Sequence, residues 1–225
     1  MMTTELALEH RQVVSTVANL AVLEFRDIIA SIDTEPPEII RDVLMDTLPA
    51  VAATHGEAAA ALAMDYYDEA RVIAEARGSF QVVPAALPDE GRFDALVRWG
   101  LTPVFASEPD MAAAAARIAG GLQRTVLDMS RSTIADNSVR DPAASGWSRV
   151  ARPDACAFCQ MLSGRGFVYT ELTVQFKSHD NCHCAAAPSW DSGAPVAVGV
   201  PFVASRRNIT AKDRQRVKDY LRSQS

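Results

Sequence analysis

The chain has 225 residues, 48% hydrophobic, 22% charged and only 7% aromatic, with a formal net charge of −6. That length holds one large domain or two small ones. The charge is too mild for a disordered polyelectrolyte, and 11 Gly with 12 Pro exclude a collagen-like or low-complexity chain.

Few aromatics beside abundant Ala favour close-packed helices over an all-β sandwich. No apolar run reaches the roughly 18–20 residues of a membrane span, so no membrane partner is expected. The start, MMTTELALEH, has neither a basic n-region nor an apolar h-region, and synthesis in the cytosol is expected.

Residues 5–33 read as one long amphipathic helix with an apolar stripe of Leu6, Val13, Val17 and Leu20, carried on by Leu23 and Ile28. Thr3 or Thr4 is the expected cap, and Pro36-Pro37 ends the helix. A second helix is predicted over 38–53, with Ile39, Ile40, Val43, Leu44 and Leu48 on its apolar face and a bend at Pro49. Gly56 separates a third over 57–76, closed by Gly78.

Residues 79–91 read as a connector, 93–99 as a short helix stopped by Gly100 and Pro103, and 109–136 as a long helix with Pro109 at its first position. Gly120-Gly121 inside that helix predicts a kink or a close helix crossing. Beyond Asp141 the character changes. Short strands are expected at 148–151 and 166–169, irregular chain over 185–204 and a last helix over 210–223. The fold expected is mainly α: a long-helix domain at 1–140, a small zinc-stabilised α+β module at 141–204 and a basic helical tail at 205–225.

Between Ser205 and Ser225 seven Lys/Arg face two Asp, a net charge of +5, which leaves residues 1–204 at −11. A basic tail on an acidic body predicts an anionic partner, packaged DNA or an acidic protein surface.

All four cysteines fall within 29 residues, as Cys156-x-x-Cys159 and His179-x-x-Cys182-x-Cys184. Zinc takes four tetrahedral sulfur or nitrogen ligands, and two ligands two residues apart grip it from a tight knuckle. One structural zinc per chain is therefore expected. Cys156 and Cys159 supply one side, and two of His179, Cys182 and Cys184 the other. Four cysteines with His179 as a supporting donor is one set; His179 in place of Cys182 is the alternative. His183 points away from its neighbours in an extended strand and is not expected to ligate. Two disulfides are the competing reading of an even count. His55-x-Glu57 ahead of a C-x-x-C has the outline of a deaminase, but the expected Pro is not adjacent to Cys156, and both residues read as a helix start.

The stretch RVARPDACAFCQMLSG at 149–164, with the closing HDNCHC at 179–184, resembles the phage Mu protein F-like family of minor capsid, or head morphogenesis, proteins. Asp180 and His183 stand where similar members have Pro and Arg, and Ser163 where many have Asp. The resemblance covers residues 146–188, and the helical half before it is alike in general character.

It implies a virion component of a tailed bacteriophage, present in few copies beside the portal protein and the major capsid protein on the inner capsid surface. Its role would lie in head assembly or genome delivery, without catalysis. Two other readings stay open: a small zinc-containing nuclease using His179, Asp180, Asn181 and His183, and a zinc-ribbon binding module.

Overall fold

The computed structural model describes residues 2–151, 155, 157–164, 176, 178–191, 215 and 219. Four helices form the body: α1 (Met2–Ile32), α2 (Pro37–Ile73), α3 (Glu90–Gly100) and α4 (Met111–Arg140). Strand β1 (Gly146–Val150), the short helix α5 (Ala157–Ser163) and strand β2 (Ala185–Ser189) follow. The protein is mainly helical, as its composition predicts.

α2 runs unbroken through both Pro49 and Gly56, so the expected second and third helices are one. Tertiary packing outweighs the local preference of either residue. A Cβ at position 56 would meet Met129 Cγ of α4 at 3.0 Å, so Gly56 marks a close approach of two helices rather than a break. α1 begins at Met2, ahead of the expected Thr caps, and α4 begins at Met111. Asp110 caps α4 by accepting a hydrogen bond from the Ala113 amide, and Asp89 caps α3 through the Arg92 amide.

The face of α1 turned to the core is Ala7, His10, Val14, Ala18, Ala21, Phe25 and Ile29, all buried. Half of the expected stripe faces outward: Val13, Leu20 and Leu23 are 41%, 50% and 52% exposed, whereas Leu6, Val17 and Ile28 are partly buried against the cores. The buried neighbours Val14 and Ala21 lie one residue, about 100°, further around the helix. Phe25, Leu44, Leu48, Ile118, Leu122 and Val126 join α1, α2 and α4 in the main core.

α4 is the central element and buries polar residues as well as apolar ones. Asn137 Nδ2 donates to the Val83 carbonyl at 2.7 Å and its Oδ1 accepts from the Val83 amide at 3.0 Å. Thr133 Oγ1 accepts from the Ala85 amide. The connector thus satisfies backbone groups on α4 side chains, which is how extended chain lies against a buried surface. Asp141, just past α4, accepts from Arg71 Nε at 2.8 Å and Trp190 Nε1 at 3.1 Å. Burial alone would raise its carboxyl, but the Arg71, Ala143 and Trp190 donors hold it below the usual carboxylate range.

β1 and β2 pair antiparallel, Gly146 opposite Ser189 and Val150 opposite Ala185. The second strand falls where irregular chain is expected. Trp147, Ala186 and Ala187 share a second core with Ala7, Tyr66, Tyr67 and Ile134, so the ladder packs on the helices. The expected strand at 166–169 and most of the tail lie outside the described residues. Within the tail, Gln215 and Asp219 are helical and joined by an i, i+4 hydrogen bond.

Candidate metal centre

The β ladder brings the two cysteine-bearing segments together. β1 leads into α5, which carries Cys159, and β2 receives the chain directly from Cys184. A tight turn from His179 to Cys182 precedes it: the Cys182 amide donates to the His179 carbonyl, and Asn181 sits at φ 61°. Asn is one of the few side chains that tolerate that left-handed conformation.

Cys159, Cys182 and Cys184 are buried, and their sulfurs lie within 4.8 Å of one another. Cys159 Sγ and Cys182 Sγ are 3.7 Å apart. A tetrahedral zinc with sulfurs at about 2.3 Å requires edges of about 3.8 Å. The three cysteines therefore have the spacing and chemistry to hold a metal ion. Cys156 lies outside the described residues.

His179 is exposed, and its Nε2 stands 3.7 Å from Cys159 Sγ while Nδ1 lies 2.8 Å from the Asp180 carbonyl. Among the described residues the close cluster is formed by the three sulfurs, with His179 beside Cys159 at its edge. Gln123 Nε2 donates to His183 Nε2 at 2.7 Å, so Nδ1 carries the proton and faces Ser15 Oγ at 3.2 Å. That histidine ties the cysteine turn to α4 and α1. His55 sits within α2 and pairs with Glu24 of α1 at 2.7 Å.

The thiols are electrostatically unequal. The Cys184 hydrogen bond, against the cost of burial and helped by the Arg131 charge, draws Cys182 far down toward thiolate, whereas the same bond and burial push Cys184 up. A thiolate is the form that binds metal.

Two arginines that the cysteine spacing does not point to complete the surroundings. Arg131, 1% exposed in α4, donates from Nε to the Cys184 carbonyl at 2.8 Å and from Nη2 to the Cys182 carbonyl. Arg149, 4% exposed in β1, places Nη1 3.9 Å from Cys182 Sγ. Both guanidinium groups lie over the Phe176 ring, at 4.9 and 3.8 Å. No sequence signal marks Arg131: the polar run Ser130-Arg131-Ser132-Thr133 reads as a solvent-facing turn of α4, and only the packing of the fold buries it.

The sequence model of the family described as VG15 protein matches residues 1–198. No curated protein and no solved structure matches the chain.

Proposed function

This chain belongs to the VG15 protein family, a family of viral gene products, and from that membership we propose that it is a minor structural protein of a tailed-phage head. The family match, running through the helical body and the cysteine segment, is the observation that carries this reading. The Mu protein F-like character of residues 149–164 and 179–184 narrows it to head morphogenesis. Its place is the virion, at the portal protein or the inner face of the major capsid protein, and it acts by binding rather than by catalysis. One zinc per chain, held by Cys156, Cys159 and two of His179, Cys182 and Cys184, braces the cysteine segment. Such a segment has little core of its own, and metal binding supplies folding free energy.

The exposed Val13, Leu20 and Leu23 lie at i, i+7 and i+10 on one side of α1, and they are the surface assigned to the partner. None of the helices among the described residues is long and apolar enough to cross a membrane.

The test is mass spectrometry of gradient-purified virions. The protein is expected in a few copies per particle, and its absence would overturn the proposal. Because the other side of α1 is core, removing the helix would unfold the body. Glu at Val13, Leu20 and Leu23 is the informative change, expected to abolish incorporation while the helical signal of the purified protein stays intact. Normal incorporation of that variant would exclude α1 as the docking surface.

A further inference from the structure

α3 and α4 leave a groove of about 370 Å³ between them, lined by Arg92, Leu96 and Trp99 of α3 and by Gly121 and Arg124 of α4, with Asp180 at its side. Positions 92, 96 and 99 share one face of α3. Leu96 lies directly on the α4 backbone, where a Cβ on Gly121 would stand 2.3 Å from Leu96 Cδ1, and this apolar contact lines the groove. Trp99 is 49% exposed, whereas Trp147 is buried and Trp190 half-buried. Tryptophan and arginine are the residue types that most often carry binding energy at protein interfaces. Arg117, one turn before Gly121 on α4, lies over the Trp99 ring with Cζ 5.5 Å from the centroid. Its Nη1 donates to Thr102 Oγ1 at 2.7 Å, and that hydroxyl donates to the Trp99 carbonyl at 2.9 Å. The guanidinium is thus held in place before a partner arrives, which lowers the ordering cost of binding.

The arginines here differ in their partners. Arg124 pairs with Asp180 at 3.0 Å and Arg92 with Asp128 at 3.7 Å. Arg117 is exposed and, among the described residues, faces Thr102 and Trp99 but no carboxylate. The surface therefore presents an apolar slot beside one uncompensated, pre-oriented cation. We infer that it is a docking site for an acidic-apolar segment of another protein, in which one large apolar side chain fills the slot against Trp99 and a neighbouring Asp or Glu pairs with Arg117. A nucleic-acid strand fits less well, because it would bring successive phosphates to Asp180 and to a body whose first 204 residues carry −11. The groove lies on other helices than Val13, Leu20 and Leu23 of α1, and its assignment depends neither on their role nor on a metal.

The experiment pans a randomised displayed-peptide library against the immobilised full chain, then measures the enriched peptides, synthesised with a fluorophore, by anisotropy. Enriched sequences are expected to place Asp or Glu beside Leu, Phe or Trp. Arg117→Glu and Trp99→Ala should each weaken their binding about 10-fold or more, the size of a hot-spot loss. Val13→Glu on α1 should leave it unchanged. Both groove positions are exposed, so the helical signal of each variant should match wild type, and either variant alone decides the outcome. No enrichment, enriched peptides without an acidic residue, or equal affinity of wild type and the groove variants overturns the inference. An oligothymidylate that binds more tightly than the peptides, and loses that binding in Arg117→Glu, gives the groove to nucleic acid instead. A concentration-dependent dimer in sedimentation that Trp99→Ala abolishes gives it to a second copy of the chain, and either result overturns the peptide assignment.

Discussion

His10 sits in the core face of α1, stacked on Tyr66 at 4.3 Å with its Nε2 2.9 Å from Ser130 Oγ. Burial lowers its pKa from 6.5 to about 4. The native protein therefore keeps this ring neutral at a pH where the unfolded chain protonates it. Its contribution to stability is complete above pH 6.5 and is lost as pH falls toward 4, by about 3 kcal/mol in total. Denaturant titrations at pH 7, 5.5 and 4 check this: wild type should weaken along the series, and His10→Gln should remove that part of the slope. Nothing in the sequence distinguishes His10 from a surface histidine, because its partners lie on α2 and α4, far along the chain. Cys159, Cys182 and Cys184, in contrast, are legible from spacing alone, since ligand geometry is local. Arg131 and Arg149 are not, because their place beside the thiols depends on which strand and helix meet.

At the level of elements, α3 and α4 cross through paired notches. A Cβ on Gly100 would stand 2.3 Å from Ile118 Cγ1, and one on Gly121 2.3 Å from Leu96 Cδ1. The sequence offers a kink or a close crossing at Gly120-Gly121, of which the structure has the crossing, but not its counterpart at Gly100, which reads only as a helix stop. Ile118 is wholly buried, whereas Leu96 is partly open to solvent and has room to swing. Gly100→Ala should thus destabilise by about 1–3 kcal/mol through overpacking, and Gly121→Ala by less. Thermal melts of the two variants give the order, and equal melting points would contradict the difference in freedom. The phase of α1 escaped the sequence for a related reason. Ranking positions by apolar bulk selects Leu6, Val13 and Leu20, but a close-packed bundle buries Ala7, Ala18 and Ala21, whose small side chains let backbones approach. β2 escaped because Ala-Ala-Ala-Pro-Ser carries no strand signature, and its partner lies across the whole cysteine segment.

Across the whole molecule, charge divides as −11 over residues 1–204 and +5 over the tail. On the proposed contact with packaged DNA, binding is sequence-independent, confined to residues 205–225 and opposed by the acidic body. With about four phosphate contacts, log affinity should fall with log salt at a slope of roughly −3 to −4. Salt titrations of the full chain and of one ending at Ala204 make the comparison. Equal binding by both would refute the tail's role, and binding by neither would favour an acidic protein surface. The β ladder has a consequence for the same molecule as a tool. Val150 and Ala185 are opposite one another, so the two strands hold the ends of the cysteine segment side by side. Lengthening a loop anchored in that way costs only about 0.6 kcal/mol per doubling. Gly164, exposed just past α5, is the threshold at which a foreign peptide can be spliced in without displacing the helices, and an epitope placed there would let the protein be located within intact particles.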